Sequence, residues 1–144
     1  MPSSDSSSAR EVMHQVLAVD TGSPAAARRA LWRRLPGLGL AAQATDDLVL
    51  AVNEAVSNAV CHAYPAERED AAVQLTVEVG PNPDGVDCVI VTVADIGRWR
   101  PVPERPRYRG HGMPLMQACT DWMDIESGAR GTTVTLASPP LVAV

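Results

Sequence analysis

The chain contains no lysine and no phenylalanine, and only three tryptophans and two tyrosines among its 144 residues. An aromatic core is therefore excluded, and packing has to come from Ala, Val, Leu, Ile and Met. No apolar run approaches the roughly 20 residues that a membrane-crossing helix requires. The opening MPSSDSSSAR has no apolar stretch of the secretory type and is expected to be a disordered polar tail. Cysteine is scarce as well. Cys61, Cys88 and Cys119 are odd in number and lack metal-ligand spacing, so they are expected to be reduced thiols, small buried hydrophobes in a cytoplasmic protein. Positive charge is in deficit: the formal net charge is -5, which argues against direct nucleic-acid binding, since phosphate recognition needs a concentrated positive field.

What charge there is, is unevenly placed. All twelve basic residues are Arg, and five of them, Arg98, Arg100, Arg105, Arg107 and Arg109, fall in one short segment. Arg28, Arg29, Arg33 and Arg34 form a second group. With 46% hydrophobic and 20% charged residues the composition is globular, and the length suits one domain with its own core. The expected organisation is a tail over 1–11, a domain over 12–138 and a second tail over 139–144.

Periodicity predicts a strand over 12–20, then a helix over about 24–35 with Ser23 as N-cap and Pro24 at its first position. Thr45, Asp46 and Asp47 are read as the opening of a second helix. Its Leu48, Val52, Ala55, Val56, Ala59 and Ala63 recur at helical spacing, and Pro65 stops it. Alternation over 72–80, the PNPDG turn and the run from Val86 to Asp95 predict an antiparallel hairpin. The Gly- and Pro-rich stretch from Ile96 to Gly112 lacks a period and is long for a loop, which marks it as a candidate lid. A third helix over about 114–122 and a second hairpin, 123–127 with 132–137 around a GARG turn, complete the chain. This order segregates helices from strands. It predicts an α+β two-layer α/β sandwich, with a mixed, mostly antiparallel sheet and helices on one face.

Four groups of residues stand out. Glu54, Asn58 and His62 are spaced i, i+4, i+8, so they stack along one face of the second helix, beside its apolar stripe. A carboxylate, an amide and an imidazole on a half-buried face suit a polar ligand, although the same spacing also fits a solvated face with an incidental Glu and Asn. Asp95 shares strand parity with Val89, Val91 and Val93, so an apolar face ends in a carboxylate able to accept a hydrogen bond from an exocyclic amine. Gly97, two residues on, would let backbone approach a flat ring. A strand-end Asp also serves as an ordinary turn cap. Gly110 and Gly112, around His111 and before the third helix, can present free N–H groups to phosphate oxygens, or simply end a loop. Thr132 shares parity with Val134 and Leu136, which places its hydroxyl with Asp95 if the two strands are neighbours, and Thr also suits a strand on propensity alone.

In this order the segments resemble the four boxes of the GHKL ATPases, the superfamily of gyrase, MutL and histidine kinases. Glu54-Ala-Val-Ser-Asn58-Ala-Val-Cys-His62-Ala-Tyr is similar to the N box, Asp95-Ile-Gly97-Arg-Trp99 to the G1 box, GHGMPLM from Gly110 to the G2 box, and Gly131-Thr132-Thr133-Val to the last box. The His-Ala-Tyr ending resembles the RsbW/SpoIIAB-like anti-sigma-factor serine kinases. The resemblance spans about residues 12–138 and implies the histidine-kinase-like (Bergerat) ATP-binding fold, with ATP and Mg²⁺ as cofactors.

In such a kinase Asn58 would coordinate Mg²⁺ and Glu54 would be the general base. Asp95 would read the adenine amino group, Thr132 would assist through water, and the glycines around His111 and Met113 would contact the phosphates. His62 joins the cofactor-side residues, or is a satisfied structural histidine. Arg28 matches an arginine that touches the protein partner in this family. The sequence departs from the pattern in its short Pro- and Arg-rich lid and in its lack of Lys, and Arg109 is the residue that would bring charge to the γ-phosphate. The implied activity is protein-serine kinase and anti-sigma regulator. It would phosphorylate an anti-anti-sigma (STAS-type) partner, hold a sigma factor and assemble as a homodimer, without membrane or nucleic-acid contact. The alternative is an ATP-gated protein-binding module that transfers no phosphate, and beyond that a scaffold that binds only protein.

Overall fold

The computed structural model describes residues 9–62, 72–95, 112–128 and 131–141. Five strands, β1 (Arg10–Ala18), β2 (Ala72–Pro81), β3 (Asp87–Asp95), β4 (Trp122–Gly128) and β5 (Gly131–Pro140), form one sheet in the order β1-β2-β3-β5-β4. Every pairing among them is antiparallel. Three helices, α1 (Ser23–Arg34), α2 (Ala42–His62) and α3 (Gly112–Ala118), make the second layer. α2 packs on α1, α3, β2, β3 and β5, while α1 also reaches β1 and α3 reaches β4. The result is the expected α+β sandwich.

Strand alternation divides the sheet into an inner and an outer face. The inner face carries Val73, Leu75 and Val77 of β2, Val89, Val91 and Val93 of β3, and Val134 and Leu136 of β5, all buried. They meet Leu31 of α1, Leu35 just after it, Leu48, Val52, Val56 and Ala59 of α2, and Met116 of α3. Among the described residues no aromatic ring takes part in that core. The short aliphatic side chains suggested by composition do fill it.

Helix starts differ from the sequence expectation for one recurring reason. Ser23 is not the N-cap of α1. Gly22 occupies that position, and no side chain caps it. Asp20 instead folds the approach, its Oδ1 accepting the Gly22 N–H at 2.7 Å and its carbonyl accepting the Ser23 N–H at 3.1 Å. The Ser23 hydroxyl is thereby turned back to donate to the Ala18 carbonyl, and it is buried. α2 likewise begins at Ala42 rather than at Thr45, whose hydroxyl donates back to the Ala41 carbonyl at 3.2 Å inside the first turn. In both cases the hydroxyl satisfies a carbonyl rather than a free N–H.

α3 is shorter and earlier than the expected 114–122. The Thr120 hydroxyl donates to the Met116 carbonyl at 2.7 Å and the Asp121 N–H to the Ala137 carbonyl at 2.8 Å, which draws the chain onto the sheet edge, so Trp122 starts β4. β1 is displaced two residues towards the N-terminus and takes in Arg10 and Glu11, while β5 extends through Pro139 and Pro140. Those prolines carry no N–H for the ladder. Where they stand, the register with β3 shifts between Cys88 and Ile90, and the buried Ser138 hydroxyl accepts the Val89 N–H at 3.0 Å.

Candidate functional site

β3 is the central strand, and Asp95 is its last residue, only 6% exposed at the end of the apolar series Val89, Val91, Val93. β5 lies beside it with Val93 opposite Val134 and Ala94 opposite Thr133, so one further step sets Asp95 across from Thr132 on the inner face. The parity expected for Thr132 therefore holds, and the two strands are neighbours. Gly131 explains how close they come. Its φ is 138°, open to glycine, and a Cβ there would run into the Asp95 carbonyl oxygen. On the far side of β5, Ser127 of β4 pairs with Thr132, and the two hydroxyl oxygens are 3.2 Å apart. The last inward row of the sheet thus reads Leu17, Val73, Asp95, Thr132, Ser127, apolar at one edge and polar at the other.

α2 supplies the second group. Arg28 of α1 donates to Asn53 Oδ1 at 2.6 Å, which identifies the flank of α2 that faces α1. Asp47 stands on the opposite flank, across the buried stripe of α2 from Asn53. Residues spaced four, seven and eleven from Asp47 share its flank, and these are Ala51, Glu54 and Asn58. Glu54 and Asn58 are half-buried one turn apart, and neither side chain has a hydrogen-bond partner among the described residues. Each step of four turns the side chain about 40° further round a 3.6-residue helix, so Asn58 stands nearer the apolar stripe than Glu54 does. Glu54 and Asn58 therefore lie along a flank beside the apolar stripe.

The structure thus assembles two clusters on the helix side of the sheet, Glu54 with Asn58, and Asp95 with Thr132 and Gly131. Gly112 is the first residue of α3 and Met113 the second, and His62 ends α2. The side chains of His62 and Met113 lie outside the described residues, as do Gly97, Arg109, Gly110 and His111. Two further residues escaped the sequence reading. Asn53 gave no signal apart from its place beside Glu54. Ser127 was legible in principle, because counting outward from the GARG turn pairs residue 127 with residue 132. Among the described residues no three His, Cys, Asp or Glu side chains gather as a metal cluster.

Against known families, residues 17–138 match the histidine kinase-like ATPase domain. The chain belongs to that family. Among solved structures it is similar to the RsbU and RsbW domains of Rv1364c from Mycobacterium tuberculosis, with a TM-score of 0.63 and 27% sequence identity. The alignment covers 92% of this chain and 34% of that one, so the chain spans about a third of its length.

Membership of the histidine kinase-like ATPase domain family implies ATP binding. The donor set fits the nucleotide and its metal. Asn58 offers an uncommitted amide oxygen, the hard donor Mg²⁺ takes when phosphates and water supply the remaining positions. Asp95 offers a buried acceptor at the end of the central strand.

Proposed function

We propose that this histidine kinase-like ATPase domain is an anti-sigma regulator with protein-serine kinase activity. The observation that carries the reading is the Glu54 and Asn58 pair, half-buried one turn apart on the α3-facing flank of α2 and uncommitted among the described residues. A carboxylate with no protein partner among the described residues, one turn from a hard oxygen donor, is free to accept a proton from a bound hydroxyl.

ATP supplies the phosphoryl group, and Mg²⁺ neutralises phosphate charge. Asn58 holds the metal side of the site. Asp95 accepts from the adenine amine, and Thr132 completes that edge. Glu54 accepts the proton of a serine hydroxyl on the partner protein as the hydroxyl oxygen becomes bonded to the γ-phosphorus, the bond from that phosphorus to the bridging oxygen breaks, and ADP leaves. The substrate is a STAS-type anti-anti-sigma protein. The competing partner is a sigma factor held without chemistry, and the working form is a cytoplasmic homodimer. Arg28, fixed by Asn53 at 2.6 Å on an exposed helix surface, is the partner-facing charge.

The test is single-turnover transfer from ATP to a co-purifying STAS-type protein, with nucleotide affinity measured on the same preparation. Glu54→Gln is expected to keep ATP binding and lower transfer by about 10²- to 10⁴-fold, the usual loss for a positioned base. Transfer at the wild-type rate would remove Glu54 from that role. A wild-type chain that binds ATP and partner but transfers nothing is the ATP-gated binding module instead.

A further inference from the structure

We propose that Trp32 and Leu50 form an apolar seat, bordered by the arginines of α1, that docks an acidic segment of the substrate protein through one apolar side chain. This deepens the reading of Glu54 as the base for a partner's serine and rests on it. Exposure is the first observation. Of the exposed large hydrophobic residues, Val16, Val86 and Trp122 belong to the sheet and its turns, while Trp32, 46% exposed, and Leu50, 42% exposed, are the two on the helix layer. Such side chains are ordinary when scattered and informative when they adjoin.

Their adjacency follows from the helix pair. α1 ends at Arg34 and α2 starts at Ala42, and so short a connection makes the two helices antiparallel neighbours. Arg28 of α1 meets Asn53 of α2 at 2.6 Å. One turn on from Arg28 along α1 is Trp32, and one turn back from Asn53 along α2 is Leu50, so both lie on the same side of that bond. Leu50 stands on the crest of α2, opposite the buried stripe of Leu48, Val52 and Val56, and Glu54 follows it by one turn. An apolar step therefore joins the cation of α1 to the proposed base.

Charge selects the occupant. α1 carries Arg28, Arg29, Arg33 and Arg34 and no carboxylate, on a chain whose formal net charge is -5. All four arginines are exposed, and among the described residues none is paired with an acid, Arg28 being bonded to a neutral amide. α2 has the opposite sign near the seat, with Asp46 one turn before Leu50 and Glu54 one turn after. A docked segment is thereby oriented. Its carboxylates lie over α1, its apolar side chain enters between Trp32 and Leu50, and a neutral hydroxyl is what the Glu54 side accepts. A long polyanion, such as a nucleic acid or an anionic membrane, would run past the basic patch onto acidic surface, which opposes it.

The experiment measures the affinity of a co-purifying STAS-type protein by calorimetry at low and high salt. It compares wild type, Trp32→Ala, Trp32→Phe, Leu50→Ala and Arg28→Glu, with thermal melts and ATP affinity as checks on folding. Trp32→Ala is expected to weaken partner binding by about 10- to 100-fold at both salt concentrations, because the lost contact is apolar and tryptophan is the commonest anchor of such contacts. Leu50→Ala shifts affinity in the same direction, and Trp32→Phe recovers part of the loss. Arg28→Glu weakens binding at low salt and does so less at high salt. Wild-type affinity in both Trp32→Ala and Leu50→Ala overturns the seat while leaving the kinase reading in place. If those variants instead lose self-association in sedimentation velocity, or lose binding to anionic vesicles or duplex DNA, the face belongs to a second copy, a membrane or a nucleic acid, and the seat is overturned as well. A wild-type chain that binds no STAS-type protein fails earlier, at the proposed function, and takes the seat with it.

Discussion

At the scale of the residue, the site depends on groups whose local geometry differs in kind. Asn58 is on the half-buried flank of α2, with no partner among the described residues, so its removal should leave packing alone. Asn58→Ala is expected to abolish Mg²⁺-dependent ATP binding with an unchanged far-UV circular dichroism spectrum. Wild-type affinity in calorimetry would take Asn58 out of the metal site. Gly131 is the contrary case. Its φ of 138° suits glycine, and a Cβ would strike the Asp95 carbonyl oxygen, a backbone atom that has no rotamer with which to yield. Gly131→Ala is expected to cost about 1–3 kcal/mol in urea unfolding and to weaken ATP binding as Asp95 is displaced. A mutant as stable as wild type would show that β3 and β5 separate easily at that end.

At the scale of the element, α1 and α2 are joined by the Arg28–Asn53 hydrogen bond on their exposed side and by Leu31 and Val52 within the core. Arg28→Glu should reverse the sign of the partner-facing charge without touching the core. It is expected to slow association at low salt more than it speeds dissociation, because steering charge acts on encounter. Identical association rates at low ionic strength would exclude Arg28 from the partner surface. Leu31→Ala, by contrast, empties a fully buried position and should cost about 2–5 kcal/mol by thermal or urea unfolding. These elements were legible to different degrees, and the reasons are physical. The hairpins were readable because period-two patterns and turn residues are local, so PNPDG and GARG fix their own register. Helix starts were misread because Ser23 and Thr45 resemble caps in sequence but bond back to carbonyls, a choice made by the approach of the preceding chain. The end of α3 was misread because Trp122 continues a helical period yet is recruited by β5 through Asp121. Of the site, the box residues stood out as types. That Asp95, Thr132 and Ser127 share one row required knowing that β5 lies between β3 and β4, which no local pattern states.

At the scale of the whole molecule, a single layer of helices leaves one face of the sheet and its ends to control how stability responds to solvent. Cys88 sits near the end of the sheet, buried, and burial raises its thiol pKa, with Asp121 and Asp87 adding to the rise. The folded chain therefore keeps the proton at a pH where the unfolded chain has begun to lose it. This contribution is fully present below the unfolded thiol range, about 8.5, and is lost as pH rises through the folded value. Stability followed by urea titration is expected to decline above that range, and Cys88→Ala should flatten the decline. An unchanged slope in the mutant would assign the alkaline loss elsewhere. The placement of β5 has a further consequence. It is the last strand in the chain and occupies the second-to-last place in the sheet, so the seam between β3 and β5 joins residues far apart in sequence. Asp95 and Thr132 stand on opposite sides of it. A chain in which only that seam has opened retains both hairpins and all three helices but parts Asp95 from Thr132, and on the proposed reading of these residues a nucleotide that spans the seam would close it by mass action. Saturating ATP is thus expected to slow amide exchange along the facing edges of β3 and β5 more than between β1 and β2, so that occupancy of the site becomes a latch on the joint between the two hairpins.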